Sequence, residues 1–276
     1  MPRSLPAIAV SALAGLAIVP GGSVAFWQVL SLALAVLLAS GSAGAFNHYV
    51  ERDLDARMAR TRSRPFVTGA FHPGPLWLVA MGTLLAAGVS LAYLALGVFS
   101  ALYVFLGAFV YGVVYTVWLK RRTVFNIVIG GLSGSFAVLA GAAAADPSPA
   151  ILPLLFAGIL FLWTPPHFWS LAMAMREDYA AAGVPMLPVV IGDRRAAYVI
   201  LLHTVALVAV SLLPAMFGLG WVYFAAAAAG GGLFVYRSTE LALVPSHATA
   251  LAAFHGSLVQ LTCVLAGAML DGRLGG

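Results

Sequence analysis

Asn47, Glu51 and Asp55 stand four residues apart at the end of a long apolar run. At ~100° per residue each step of four drifts by only about 40°, so on a helix the three side-chain oxygens share one face while Asp53 points elsewhere. A row of oxygen ligands at a helix end suits Mg²⁺, which takes carboxylates, water and phosphate oxygens and would bridge the protein to a diphosphate. Arginines follow at once. Arg60 and Arg64 are again four apart, with Arg57 and Arg62 beside them, and guanidinium forks match phosphate oxygens. The same charges would also suit a solvated loop at a membrane face. Two features weigh against that reading. Position 55, four residues after Glu51, holds another acid where a pairing base would stand. Glu51, Asp53 and Asp55 also crowd within five residues, and such acids repel unless something cationic binds them.

A second group runs from Trp163 to Arg195. Pro165-Pro166 should kink or restart a helix inside the membrane. His167 follows, and eleven residues later Asp178. On one continuous helix these two would be about 20° apart in phase and ~16 Å apart along the axis, an imidazole within the bilayer and a carboxylate at its end. An intramembrane His is costly and a functional candidate. The competing reading is a His bonded to a carbonyl freed by the proline pair. Between the two groups, Lys120, Arg121 and Arg122 form a basic loop that could be a topology signal or a phosphate contact. Gly130, Gly131 and Gly134 fit helix packing. A faint internal echo links the groups, since each has acids followed by Pro and Gly four apart, Pro65/Gly69 and Pro188/Gly192.

The elements that carry these residues follow from composition. The 276 residues hold 23 formal charges, 8% of the chain, and 62% are hydrophobic; mean hydropathy is +1.01. Ordinary soluble domains carry about 25% charge. This excludes a disordered chain, a disulfide scaffold and a nucleic-acid binder, and leaves a polytopic membrane protein. Nine apolar runs are long enough to span: about 5–20, 24–46, 74–95, 98–118, 125–144, 150–172, 196–215, 219–236 and 249–270. Turn signals separate them, among them Pro20-Gly21-Gly22, His72-Pro73-Gly74 and Asp146-Pro147-Ser148-Pro149. The first run, with Arg3 before it and Ser23-Val24-Ala25 after it, could instead be a cleavable signal peptide. With nine spans, thirteen of the fourteen Lys and Arg lie on one side and only Arg273 on the other. That side is expected to be cytoplasmic, with the C-terminus outside. Cys263, the single cysteine, fits a packing role in the last span. No acid sits in mid-span, which argues against an ion-coupled transporter and for chemistry at one membrane face.

Several stretches together carry a family resemblance. They are Asn47-His-Tyr-Val-Glu-Arg-Asp-Leu-Asp55, Arg60-Thr-Arg-Ser-Arg-Pro65 with Gly69, Tyr115-Thr-Val-Trp-Leu-Lys-Arg121, Asn126-Ile-Val-Ile-Gly-Gly131, Trp163-Thr-Pro-Pro-His-Phe168, Asp178-Tyr179 and Gly183-Val-Pro-Met-Leu-Pro188. The chain resembles the UbiA superfamily of membrane prenyltransferases, and within it the branch that farnesylates haem. The resemblance implies an all-α single domain over residues 1–276, nine transmembrane helices around a central cavity, in a bacterial-type inner membrane. It implies farnesyl diphosphate with its tail among helices and lipid, and haem B as acceptor. Mg²⁺ would be held by Asn47, Glu51 and Asp55, with Asp178 as a further acid, and the leaving diphosphate by Arg60, Arg64, Lys120 and Arg121. His167 would bind haem, as an axial ligand or through a propionate. A downstream haem A synthase is a candidate partner. Three departures stand out. Glu51 replaces the usual Asp, Ala182 stands where a second acid would follow Asp178, and Phe136 to Gly141 lacks a proline pair seen in many members. Another aromatic acceptor, or a non-catalytic haem or lipid carrier, remains open at this point.

Overall fold

A computed structural model describes residues 5–19, 24–148 and 150–274. Among these every regular element is helical. Arg3, the turn at Pro20-Gly21-Gly22, Ser23 and Pro149 lie outside the described residues. The long helices are α1 (Leu5–Ala17), α2 (Phe26–Val50), α5 (Pro75–Leu96), α6 (Val98–Phe109) with its π-helical continuation (Val110–Leu119), α8 (Leu132–Ala145), α9 (Ile151–Ala174), α12 (Asp193–Leu212), α13 (Trp221–Leu243) and α14 (His247–Leu274). Short helices sit in the connections: α3 (Arg52–Asp55), α4 (Pro65–Thr68), α7 (Asn126–Gly130), α10 (Arg176–Ala181) and α11 (Leu187–Ile191). Seven rods among the described residues are long and apolar enough to cross a membrane. The remaining two, α1 and α13, are shorter or less apolar and complete the same bundle, so the described residues form nine rods, seven of which meet the length and apolarity of a membrane span.

Each long rod packs on the next, and α14 returns to α1, closing a ring in chain order. Apolar side chains such as Leu76, Leu94, Leu202 and Trp221 are exposed around it, as expected where lipid supplies the solvent. Small residues set the closest approaches. A Cβ on Gly141 would meet the Ala12 carbonyl oxygen at 1.8 Å, and one on Gly15 would meet the Val138 carbonyl oxygen at 2.1 Å, so α1 and α8 cross almost backbone to backbone. Gly131 lies against Thr164, and Gly130 against the Tyr115 ring, in line with their packing reading.

The polar connections gather at one end of the ring. Ion pairs and hydrogen bonds tie residues 51–64, 120–121 and 178 to one another. At the other end, Asp271 accepts the backbone N–H groups of Gly220 and Tyr223 and caps the N-terminus of α13. The internal echo extends to the backbone. α4 opens on Pro65 and is followed by Gly69 at φ 81°, and α11 carries Pro188 in its first turn and is followed by Gly192 at φ 80°.

Two expectations need correction. Helix α9 runs without interruption through Pro165 and Pro166 and does not restart there; the prolines remove the donors to the Phe161 and Leu162 carbonyls, a loss tolerated inside a packed membrane bundle. The helix then ends before Met175, and Asp178 belongs to α10. His167 and Asp178 therefore do not share one continuous helix face.

The close α1–α8 crossing is open to test. Gly141→Val should lower the detergent melting temperature of the purified protein, at a cost of about 1–3 kcal/mol for overpacking. Gly158→Ala, where nothing lies within 4 Å, should leave it unchanged or raise it. Equal melting of both variants would contradict the packing.

Candidate active site

Helix α2 stops at Val50, yet the i→i+4 bonds Glu51 N–H to Asn47 C=O (2.9 Å) and Asp55 N–H to Glu51 C=O (2.8 Å) carry the helical register across the junction into α3. The four-residue spacing therefore keeps its geometric meaning. Asn47, Glu51 and Asp55 are all turned inward, 0%, 1% and 2% exposed, while Asp53 faces out.

Each acid has found its own cation. Lys120 Nζ lies 2.5 Å from Glu51 Oε2, and Arg64 Nη1 lies 2.6 Å from Asp55 Oδ2. Arg121 forks onto Asp53 with bonds of 2.9 and 2.7 Å. The first two pairs are buried. The third is 40% and 50% exposed, so Arg121 is not brought to the inner cluster. Burial pulls the Lys120 ammonium below the ordinary lysine value and Glu51 opposes that shift; the Arg121 fork holds the Asp53 carboxyl below its ordinary value.

Two oxygens in this cluster are buried and bonded to nothing, Asn47 Oδ1 and Glu51 Oε1. The Asn47 orientation is fixed by its neighbour. Thr116 Oγ1 gives its proton to the Tyr111 carbonyl (2.8 Å), so it can only accept from Asn47 Nδ2 at 3.1 Å. A flipped amide would set two acceptors face to face. Orphaned buried acceptors cost about 1–3 kcal/mol each, and two on successive turns of one helical face are what a hard cation takes. The donor set thus fits Mg²⁺. Among the described residues no three His, Cys, Asp or Glu converge as a self-contained metal cage. That also suits Mg²⁺, which is usually held by one or two carboxylates with water and substrate phosphate completing its shell.

The π-helix explains how Lys120 arrives. With i→i+5 bonds, such as Lys120 N–H to Tyr115 C=O at 2.9 Å, residues five apart stack along one side. Thr116 bonds back to Tyr111, and Lys120 Nζ sits 5.6 Å from the Tyr115 ring centroid. Tyr111 and Tyr115 stack at 5.7 Å. On an α-helix Lys120 would turn about 140° away from Tyr115. Tyr111, Tyr115 and Thr116 had no assigned role in the sequence, because the i→i+5 bonds that join Thr116 to Tyr111 and Lys120 to Tyr115 leave no mark in the residue pattern.

Asp178 works on the backbone. Its carboxylate oxygens accept the N–H groups of Ala59 and Arg60 at 3.3 and 3.4 Å. Tyr179, whose hydroxyl is pushed up by burial, lies beside the Arg60 guanidinium. α10 therefore clips the arginine loop over the acids. Arg57 and Arg62 are exposed on that loop.

His167 lies elsewhere in the bundle. Its ring is stacked between Trp163 (4.1 Å, 21°) and Phe254 (4.6 Å, 29°), with the edge of Phe168 at 4.9 Å. Nδ1 is 2.6 Å from Ser257 Oγ. It does not bond a carbonyl freed by the proline pair.

The model of the UbiA prenyltransferase family matches residues 8–263. The chain belongs to this family. A relative from Paramagnetospirillum magneticum, protoheme IX farnesyltransferase 2, is 56% identical over 97% of this chain and 93% of its own length. Protoheme IX farnesyltransferase of Alkalilimnicola ehrlichii is 41% identical over 99% and 90%. Solved UbiA folds superpose closely. A digeranylgeranylglyceryl phosphate synthase gives a TM-score of 0.81 at 18% identity, covering 98% of this chain and 94% of that one. A UbiA homolog from Archaeoglobus fulgidus, bound to DMAPP and Mg²⁺, gives 0.69 at 15% identity, covering 96% and 97%. The all-α, multi-pass membrane expectation therefore holds, and the family is one of prenyl-transferring enzymes.

The buried Lys120–Glu51 pair sets a test. Lys120→Met strands a carboxylate in the interior and should cost about 3–5 kcal/mol. Adding Glu51→Gln should recover most of that loss. Thermal melts of the two single variants and the double variant give the coupling; simple additivity would contradict a buried, bonded pair.

Proposed function

We propose that this chain transfers a farnesyl group from farnesyl diphosphate to a vinyl group of haem B, with addition of water, giving haem O. The observation that carries the reading is the near-full-length likeness to protoheme IX farnesyltransferases, up to 56% identity over 97% of the chain. The site chemistry supports it independently, with two orphaned oxygens for a cation beside buried Lys120 and Arg64 for a leaving anion.

The residues divide the work. Asn47, Glu51 and Asp55 would hold Mg²⁺, which when bound supplies charge neutralisation for the diphosphate as it leaves. Lys120 and Arg64, already desolvated, stabilise the growing negative charge on the same group. Arg60 reaches it from the loop that Asp178 secures, and Arg121 acts from outside as part of the basic rim. The apolar bundle keeps water from the allylic cation until the haem vinyl carbon attacks it. The C–O bond to diphosphate breaks, a C–C bond to the vinyl carbon forms, and water adds to the resulting cation with loss of one proton. No ring proton is removed, so no strong base is needed at the acceptor. His167 binds the haem. The charged loops face the cytoplasm, as does the N-terminus, and the C-terminus lies outside. A haem A synthase is the proposed consumer of the product.

Membranes from a host lacking its own haem O synthase provide the test. Mass spectrometry of extracted haems should find haem B converted to a product heavier by one farnesyl group and one hydroxyl group. Unchanged haem, or conversion of a quinone precursor instead, would contradict the reading. Asp55→Asn should lower the rate about 10²- to 10³-fold, the scale of losing one preorganised charge-stabilising group, and chelating Mg²⁺ should have a comparable effect. Full activity of the variant would remove Asp55 from the site.

A further inference from the structure

Helices α2 and α5 touch at one depth and part at another. A Cβ on Gly88 would lie 2.8 Å from the Ala35 carbonyl oxygen, so the two backbones meet there. Six residues nearer the charged end, a Cβ on Gly82 would meet nothing within 4 Å. Between these two helices and α6 with its π continuation lies a groove of about 300 Å³. Ser42 and Phe46 of α2, Met81 and Gly82 of α5, and Phe109 and Gly112 of the third rod help to line it. Ser42 is the one polar residue among those lining it, and its Oγ donates to the Met81 carbonyl at 2.7 Å. No lining side chain is left to bond water or a polar ligand, so the groove suits hydrocarbon.

The groove faces lipid and has the depth of one leaflet. Leu78 and Phe109 on its walls are exposed. Leu78 and the closure at Gly88 are ten residues apart, ~15 Å along α5 and half of a ~30 Å hydrocarbon core. Phe46 lies about 140° around the α2 axis from Glu51, so the groove is not a continuation of the acid row.

At the charged end its mouth carries aromatic rings and a base. Tyr49, three residues beyond Phe46, meets Phe66 edge-on at 5.5 Å. Phe66 meets Trp77 at 5.3 Å, and Trp77, next to Leu78, stacks on Phe71 at 4.7 Å. Tyr and Trp gather at the headgroup level of membranes. Arg52 folds back over this cluster. Its Nη1 donates to the Tyr49 carbonyl at 2.7 Å, and its guanidinium carbon is 5.4 Å from the Tyr49 ring centroid. Arg52 is exposed, and among the described residues it pairs with no acid. The neighbouring Asp53 is taken by Arg121.

We propose that this groove holds one acyl chain of an anionic phospholipid, whose headgroup phosphate rests on Arg52. The apolar walls take the chain over the depth of its leaflet, the aromatic mouth sets the level of the glycerol backbone, and the unpaired guanidinium favours a negative headgroup.

Native mass spectrometry of the full-length protein tests this, with dioleoyl phosphatidylglycerol or dioleoyl phosphatidylcholine added in detergent. The parent should hold phosphatidylglycerol about 5-fold more tightly, the weight of one base beside an anionic lipid. Arg52→Gln, a surface change, should erase that preference. Gly82→Leu should fill the groove and weaken binding of both lipids, while Gly232→Leu, at another open glycine, should bind as the parent does. Should Gly82→Leu fail to fold, Gly82→Val carries the same comparison. Equal retention of the two lipids by the parent, or a preference that survives Arg52→Gln, would overturn the headgroup contact. Undiminished binding in Gly82→Leu would overturn the groove as the site. Loss of affinity for a non-transferable farnesyl diphosphate analogue in Gly82→Leu would give the groove to the prenyl chain and overturn the lipid assignment.

Discussion

Two carboxylates carried into the interior of an almost uncharged bundle must be neutralised, and the organisation of this end of the protein follows from that need. An unpaired buried carboxylate costs several kcal/mol, so Glu51 and Asp55 each draw a cation inward from a different part of the chain. Lys120 comes from the end of the π-helix and Arg64 from the loop after α3. Neither pairing consumes every acceptor. Glu51 Oε1, with Asn47 Oδ1 one turn earlier, remains desolvated and unbonded. The cluster thus holds attraction for a further cation, and its own cations lie close enough to serve the anion that such a cation would bring.

The supporting elements read as answers to the same demand. Thr116 spends its proton on a carbonyl so that the Asn47 oxygen stays free. The π register, a geometry often found at functional sites, aligns Lys120 with Tyr115. Asp178 accepts two backbone N–H groups and pins the arginine loop.

The sequence made legible whatever depends on local periodicity. Apolar runs bounded by Gly and Pro mark the rods because lipid tolerates little else, and the spacing of Asn47, Glu51 and Asp55 survives because helical hydrogen bonds cross the α2–α3 junction. What depends on long-range pairing was hidden. Glu51 and Lys120 are 69 residues apart, and His167 and Ser257 are 90 apart. A departure from α-helical phase hid the alignment of Lys120, and the end of α9 before Met175 broke the expected line from His167 to Asp178. The crowding of three acids did announce a need for cations, though it gave no sign that the chain supplies three of its own.

The central claim is that the acid row binds a cation and a diphosphate as one unit. Calorimetric titration of the purified protein with a non-transferable farnesyl diphosphate analogue, with and without Mg²⁺, tests it most directly. The account predicts tight binding only when Mg²⁺ is present, and its loss in Glu51→Gln even at saturating Mg²⁺. Equal affinity in the presence of a chelator, with Glu51→Gln unchanged, would contradict it.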